Sequence, residues 1–200
     1  MPTPPALPTL TELIDRINNA MARADASGFH LSNAMTLATA TKDGKPSARM
    51  VLLKHADADG FVFYTNLESQ KAVELRENPQ ASLCFWWGAQ EEQVRVDGVV
   101  LPVSDDEADA YFATRPRASQ LAAWASTQSA PLEHREVMMT RYNELEEKHA
   151  DSDVPRPAFW SGFRLVPARI EFWFGKTDRL HERQLYTRLD DIWSETLLYP

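Results

Sequence analysis

The feature that most constrains the fold is a run of short β-type segments separated by tight-turn sequences. Residues 34–41 alternate between polar and apolar side chains, and residues 47–54 are again strand-like. The sequence Lys42-Asp43-Gly44-Lys45 predicts a hairpin turn between them, and residues 55–60 predict a second turn. Further strands are expected at residues 61–65, 80–87 and 91–103, the last as one long strand or two short ones. This order predicts an antiparallel meander and not a series of βαβ units.

Apolar residues at helical spacing predict an amphipathic helix over residues 10–21, which either Thr9 or Thr11 would cap. A short helix at residues 70–77 ends before a proline, and another helix opens at Ser104 with an acidic first turn. The remaining elements are helices at residues 117–125 and 132–149, a loop at 150–157, and strands at 169–174, 179–188 and 192–198.

These elements predict a mainly β protein of the α+β type, with about seven or eight strands in a closed or split antiparallel barrel and with flanking helices. Closure removes the exposed strand edges that such a meander would otherwise carry. A chain of 200 residues with 44% hydrophobic content is expected to form one structural domain. Its expected parts are an N-terminal extension and helix, a barrel core, a helical connection and C-terminal strands, at residues 1–30, 31–125, 126–156 and 157–200.

The charge balance bears on the class of ligand. A formal net charge of −8 argues against a nucleic-acid partner, because the phosphate backbone would be repelled. A small anion remains compatible, since a local group of Arg and Lys can hold one phosphate inside an acidic protein. The sequence has one cysteine, Cys84, which excludes an intrachain disulfide and a cysteine-based metal site, and which we expect to be a buried core thiol.

The amino terminus resembles neither a signal peptide nor a membrane span, so we expect a cytoplasmic protein without a membrane partner. The proline-rich residues 1–5 are expected to be mobile or extended.

Two groups of polar residues stand inside otherwise apolar or strand-like sequence. Arg49 and Lys54 bracket four apolar residues, and their odd spacing points them to opposite faces of a strand, unless both lie at strand ends and reach water. The helix that begins near Ser69 brings free backbone N–H groups together with Thr65 and Lys71, which is what a phosphate monoester needs. The alternative is a simple helix cap with a solvated lysine. Aromatic residues that could stack on a ring, or simply fill the core, are Trp124, Trp160 and Trp173.

From about residue 33 to the carboxyl terminus, the chain resembles the pyridoxamine 5′-phosphate oxidases in consecutive blocks at the family's spacing. Each block is weak alone, but their order over roughly five sixths of the chain is specific. The blocks are Arg49-Met-Val-Leu-Leu-Lys54, Phe63-Tyr-Thr-Asn66, Ser69-Gln-Lys-Ala72, Gln93-Val-Arg-Val96, Tyr111-Phe-Ala-Thr-Arg-Pro-Arg-Ala-Ser-Gln120, Trp124-Ala-Ser-Thr-Gln-Ser129, Pro157-Ala-Phe-Trp-Ser-Gly-Phe163, Ile170-Glu-Phe-Trp173 and Arg179-Leu-His-Glu-Arg183.

The resemblance implies an FMN-binding split barrel that works as a homodimer, with each flavin between subunits. It implies FMN contacts at Arg49, Met50, Val51, Leu52, Leu53, Lys54, Tyr64, Thr65, Gln70, Lys71, Gln93, Gln128, Ser129, Trp173 and Arg183, with Gln128 and Ser129 expected from the partner subunit. The implied substrate contacts are Lys54, Tyr111, Arg115 and Ser119 at the phosphate, and Arg179, Leu180 and His181 at the pyridine ring, with Arg179 and His181 as catalytic residues. A spacing of i, i+4 and i+8 predicts that Tyr111, Arg115 and Ser119 share one helical face.

The implied reaction oxidises pyridoxamine or pyridoxine 5′-phosphate with O2 to pyridoxal 5′-phosphate, and no metal takes part. The chain departs from the family at Gln70, where many members have a basic residue, at its short proline-rich start, and at Leu31-Ser32, where acidic and proline residues are common. Two other functions remain open: a related flavin oxidase of the phenazine-biosynthesis type, which lacks the substrate-phosphate residues, and a non-catalytic protein that binds FMN or pyridoxal phosphate. A barrel without a ligand leaves the cations within the strands unexplained.

Overall fold

The structure is a computed structural model, and it describes residues 7–190 and 192–200. The expectation about residues 1–5 lies outside this range. The strands are β1 (Ala34–Ala40), β2 (Pro46–Leu52), β3 (His55–Asp57), β4 (Gly60–Asn66), β5 (Gln80–Trp87), β6 (Glu92–Pro102), β7 (Trp160–Phe174), β8 (Glu182–Leu189) and β9 (Ile192–Leu198). The α-helices are α1 (Leu10–Ala26), α2 (Gln70–Glu77), α3 (Asp105–Thr114), α4 (Arg117–Ala125) and α5 (Arg135–Lys148).

All of these strands belong to one antiparallel sheet, in the order β2-β1-β5-β6-β7-β4-β3, with β8 and β9 added beside β7. Strand β7 is where the sheet divides. One of its edges pairs with β6, whereas the other pairs first with β4, at residues 160–165, and then with β8, at residues 169–174. Pro167, which has no N–H to donate to a ladder, lies between the two halves. The predicted split antiparallel barrel with flanking helices is therefore confirmed.

A bulge accompanies this division of the sheet. Asp97 pairs with Arg169 and Gly98 pairs with Pro167, so the register shifts by one residue between them. A Cβ atom on Gly98 would lie 2.1 Å from the carbonyl oxygen of Val166, which is backbone and cannot turn aside. The close approach of β6 and β7 at this point therefore requires glycine at position 98.

Helix α1 packs against the core of the barrel. Thr9, and not Thr11, caps it in a capping box with Glu12, and the buried Leu13 and Ile17 pack into the main core with the inward side chains of the strands. A second, smaller apolar cluster lies under α3 and α4 and includes Phe112, Leu121 and Trp160. None of the described helices has the length and apolar character that crossing a membrane requires.

Several boundaries differ from the expectations. Residues 55–57 of the expected turn form the short strand β3, because the real turn is confined to the residues between Asp57 and Gly60. Residues 91–103 contain one long strand, β6, and β7 begins at residue 160 instead of 169. Strand β8 begins at Glu182, so residues 179–181 precede it. Cys84 is half-buried and not fully buried, and burial raises the pKa of its thiol. The four expected segment boundaries stay a prediction, although strands from residues 31–125 and 157–200 share one sheet.

The close approach at Gly98 can be tested by substitution. We expect Gly98→Ala to lower the free energy of unfolding by about 1–3 kcal/mol, since the added methyl group must displace backbone. Gly88→Ala is the matched control, because its Cβ would meet only the Trp86 side chain, at 3.3 Å, and its effect should stay within about 0.5 kcal/mol. Urea unfolding measures both variants. Equal stability of the two would show that β7 yields at the bulge.

Candidate active site

A buried lysine whose hydrogen bonds go to neutral oxygens lies at the start of α2. Lys71 is 7% exposed, and its Nζ donates hydrogen bonds to Thr65 Oγ1, Ser69 Oγ and Gln128 Oε1 at 3.2, 3.1 and 2.9 Å. None of the salt bridges among the described residues includes Lys71. Burial, and then the nearby charge of Arg49, lower the pKa of Lys71 to about 8. The alternative of a solvated lysine is therefore wrong. Because a desolvated cation among neutral oxygens lacks a compensating charge, a bound anion would stabilise it.

Behind this lysine, the buried Glu74 forms an ion pair with the partly buried Arg49. Arg49 Nη2 lies 3.2 Å from Glu74 Oε2, which also accepts hydrogen bonds from the Thr39 and Ser47 hydroxyls. Burial opposes ionisation, but these donors and Gln70 outweigh it and lower the pKa of Glu74 to about 2. The carboxylate is therefore ionised at neutral pH.

Arg49 and Lys54 line one cavity, of about 290 Å³, together with Lys71. They do not occupy opposite faces of one strand, because β2 ends at Leu52. Lys54 follows the strand end and is exposed, as the alternative expected, whereas Arg49 lies within β2 and is partly buried. Leu53 turns the other way, into the main core. The other residues that line this cavity are Met50, Val51, Leu52, Tyr64, Thr65 and Gln128.

A second cavity, of about 410 Å³, adjoins the first through the shared residues Leu52, Lys54, Tyr64 and Gln128. It also contains the three residues expected at the substrate phosphate, Tyr111, Arg115 and Ser119. The expectation that these three residues share one helical face is wrong, because α3 ends at Thr114 and α4 begins at Arg117. Arg115 and Pro116 between them are extended, so the residues converge across a break between two helices.

Arg115 is the second cation of this region that lacks a carboxylate partner. Its Nη1 is buried and has no hydrogen-bond partner among the described residues, and no salt bridge of those residues includes it. Its guanidinium carbon lies 4.7 Å from the centre of the Trp160 ring. Burial lowers the pKa of Arg115, although its guanidinium remains charged at neutral pH. An unpaired buried donor of this kind is costly, and an anion in the cavity would satisfy it.

The wall between the two cavities is aromatic. The ring of Tyr64 stacks on Tyr111, with centroids 4.1 Å apart, and on Trp160 at 5.3 Å. Burial, and then the charges of Glu107 and Tyr111, raise the pKa of Tyr64 to about 12. This phenol is therefore neutral and can donate or accept a hydrogen bond at physiological pH.

The remaining predicted residues form a separate group around β7. Gln93, Trp173 and Arg183 are direct partners on β6, β7 and β8, so their side chains leave the same face of the sheet. Arg183 Nε donates to the buried Glu171 at 2.8 Å. The His181 ring lies 4.5 Å from the Trp173 ring, and Arg179 and Leu180 are exposed beside it. Asp178 and Arg179 have positive φ angles of 56° and 61°, which turn the chain sharply before β8.

Within one chain, these two sets of residues remain apart. We call the residues of the two adjoining cavities the cavity group, and Gln93, Trp173, Arg179, His181 and Arg183 the β7 group. No hydrogen bond or salt bridge among the described residues joins them. The expectation that Gln128 and Ser129 come from a partner is wrong for this structure: Gln128 contacts the chain's own Lys71, and Ser129 Oγ accepts from the backbone N–H of Gln70 at 3.3 Å.

The sequence patterns did not predict the carboxylates that form ion pairs with two arginines of the candidate site. Glu74 and Glu171 were not singled out, although each buried carboxylate holds an arginine of the predicted site. A signal for Glu74 was present, because it lies between Ala72 and Leu75 on the helix face that is buried. An acidic residue on an apolar helix face requires a partner.

The fold defines a split-barrel protein, and its two adjoining cavities contain cations that suit anionic groups. A family model described as pyridoxamine 5′-phosphate oxidase matches residues 22–149, which is more than half of the chain. A second model, described as the pyridoxine 5′-phosphate oxidase C-terminal dimerisation region, matches residues 160–200. The chain therefore belongs to the pyridoxamine 5′-phosphate oxidase family, and the resemblance noted in the sequence is confirmed.

Curated relatives agree with this assignment over the full chain. A pyridoxine/pyridoxamine 5′-phosphate oxidase of Myxococcus xanthus (strain DK1622) is 52% identical over 98% of this chain and 92% of its own. One of Anaeromyxobacter dehalogenans (strain 2CP-C) is 50% identical over 100% of both chains. Among solved structures, PhzG from Burkholderia lata 383, in complex with tetrahydrophenazine-1-carboxylic acid, is similar with a TM-score of 0.90 and 33% identity, over 96% of this chain and 94% of the other.

The titration of Glu74 gives a test of the site's integrity. Because its pKa falls from 4.5 to about 2 on folding, the carboxylate stabilises the fold above about pH 4.5, and this contribution is lost as the pH drops towards 2. We expect Glu74→Gln to lower the urea midpoint at neutral pH, and the difference from wild type to shrink as the pH falls below about 4.5. The exposed Glu77→Gln is the control, with no such dependence. A difference that stays constant with pH would contradict the assignment.

Proposed function

We propose that this protein is an FMN-dependent oxidase that converts pyridoxamine and pyridoxine 5′-phosphates to pyridoxal 5′-phosphate. The observation that carries the proposal is a pair of adjoining cavities, each lined by a cation that has no carboxylate partner among the described residues. These cations are the buried Lys71 in one cavity and the partly buried Arg115, whose Nη1 is buried, in the other. A reaction in which the cofactor and the substrate each carry a phosphate monoester needs two such cations side by side.

The residues present fit FMN. Lys71 and Arg49, with the Thr65 hydroxyl and the first turn of α2, hold the cofactor phosphate. Lys54, Tyr111, Arg115 and Ser119 hold the substrate phosphate. When bound, FMN would supply the redox chemistry, which is hydride acceptance and reoxidation by O2. The alcohol and O2 yield pyridoxal 5′-phosphate and H2O2, and the amine also consumes water and releases ammonia.

The protein's own contribution is orientation. The β7 group presents an imidazole, a guanidinium and an indole on one face, which suits contacts to a pyridine ring and a flavin ring. In one chain this group is separate from the cavity group, so the complete site needs the second subunit of the homodimer. The match of residues 160–200 to a dimerisation region supports this arrangement. Gln93, Trp173, Arg179, His181 and Arg183 are then the partner's contribution, and Gln128 and Ser129 belong to the same chain as Lys71.

A second candidate is an oxidase of the phenazine-biosynthesis type, which the TM-score of 0.90 to PhzG favours. The phosphate oxidases are closer in sequence, at 50–52% identity against 33%. The presence of Arg115 and Ser119 in the second cavity also favours a phosphorylated substrate. A cytoplasmic location stays a prediction.

The decisive experiment is to load the purified protein with FMN, add each phosphate substrate in air, and follow pyridoxal 5′-phosphate and H2O2. Product from either substrate supports the proposal. Inertness towards both, with oxidation of a reduced phenazine precursor, would establish the second candidate. A protein that holds FMN but oxidises neither class would be a binding protein.

Arg179 and His181 are expected to act on turnover more than on FMN retention, because they lie on an exposed turn outside the cofactor-phosphate cavity. We expect Arg179→Ala or His181→Ala to lower kcat/KM by roughly 10²-fold or more while the bound FMN fraction changes little. Stopped-flow reduction of the flavin and the flavin content of purified protein measure the two effects. Loss of FMN with unchanged turnover per bound flavin would contradict this role.

Lys71 should make FMN binding depend on pH. Its pKa is about 8 in the free protein, so the ammonium that attracts the phosphate is lost as the pH rises further. We expect the dissociation constant for FMN to increase above about pH 8, and the increase to disappear in Lys71→Met, which binds FMN weakly at every pH. Riboflavin, which has no phosphate, is the control ligand. An alkaline loss shared by riboflavin would place its origin outside Lys71.

A further inference from the structure

Glu74 is a buried carboxylate that cannot itself contact an anionic ligand, yet it lies one turn after Lys71 in the cofactor-phosphate site. Its side chain is 4% exposed. Oε2 accepts from Thr39, from Ser47 at 2.8 Å and from Arg49 at 3.2 Å, and Oε1 accepts from Gln70 Nε2 at 2.8 Å. Both oxygens therefore already accept hydrogen bonds from the protein, and we infer a role for Glu74 through one of these partners.

Of these partners, Arg49 lines the cavity that contains Lys71, whereas Thr39, Ser47 and Gln70 do not. Its Nη1 donates to Thr39 Oγ1 at 2.5 Å and to the carbonyl oxygen of Leu37 at 3.3 Å, while Nη2 donates to Ser47 and Glu74. These contacts hold the far edge of the guanidinium against β1, β2 and α2. The same side chain lines the cavity that contains Lys71. The guanidinium is thus fixed from behind at a position beside the buried ammonium.

We propose that Glu74 is a positioning residue that fixes the guanidinium of Arg49 for the FMN phosphate and so makes flavin binding phosphate-selective. This inference rests on the proposed function. An arginine with a free side chain has many rotamers, and ordering it on binding costs affinity, whereas one held in place by a buried carboxylate is already ordered. The same logic explains why a negative charge is tolerated near a phosphate site.

Removal of Glu74 is expected to change FMN affinity in opposite directions under this proposal and under a purely electrostatic explanation. Removing Glu74 makes the phosphate site more positive, so Coulomb attraction alone predicts tighter FMN binding. Loss of the orientation of Arg49 predicts weaker binding. Riboflavin separates both effects from general damage to the fold, because it has the same ring system and no phosphate.

The test is to titrate FMN and riboflavin into apoprotein and follow flavin fluorescence, for wild type and for Glu74→Ala, Glu74→Gln and Glu77→Ala. We expect Glu74→Ala to raise the dissociation constant of FMN roughly tenfold, as the loss of one charge-assisted contact does, and to leave riboflavin unchanged. Glu74→Gln keeps an oxygen towards Arg49 and should restore most of the FMN affinity. Glu77→Ala, on the same helix but exposed, should match wild type.

Unchanged or tighter FMN binding by Glu74→Ala would overturn the proposal, as would an equal loss for FMN and riboflavin. Should Glu74→Ala fail to fold, Glu74→Asp keeps the charge but draws the carboxylate back from Arg49. Weaker FMN binding by this variant, with riboflavin unchanged, supports positioning, and wild-type affinity overturns it. A wild-type protein with no preference for FMN over riboflavin would refute the proposed cofactor itself. A wild-type preference for FMN that Glu74→Ala retains would instead refute only the role of Glu74.

Discussion

The forked pairing of β7 is the constraint on which the rest of the structure depends. One edge of this strand runs along β6, while the other edge is shared between β4 and β8. Because β4 leads into the first turn of α2 and β8 follows the turn at Arg179, the two halves of β7 support different parts of the site. The bulge at Gly98 lets β6 and β7 stay close where the sheet divides.

The basic residues of the candidate site fall into two kinds according to their partners. Arg49 and Arg183 each have a buried carboxylate behind them, Glu74 and Glu171, so their directions are fixed before any ligand arrives. Lys71 and Arg115 instead have neutral or no partners among the described residues. In the proposed site, the first kind of cation would supply a fixed geometry, and the second would supply a charge that a bound phosphate neutralises.

Sequence patterns predicted most of the helices and strands, because the residues that start and end these elements lie within the elements or next to them. The helix at residues 70–77 and the strand at 80–87 have the predicted bounds, since each is delimited by its own turn residues. The first half of β7 was missed because a glycine and a proline interrupt it, and only pairing with β4 and β6 makes it a strand. The prediction of one helical face for Tyr111, Arg115 and Ser119 was wrong because Pro116 breaks the helix. The three residues still converge on one cavity.

By itself the sequence determined the barrel class, through local periodicity, and the family, through blocks of sequence in order. The roles of the candidate site residues follow from the same blocks and stay predictions. The tertiary structure decided which residues share a site. It placed Gln128 against the chain's own Lys71, kept the β7 group apart from the cavities, and placed Glu74 behind Arg49. The physical reason is that such contacts join residues far apart in the chain, and the burial that makes a charge require a partner exists only after the strands have paired.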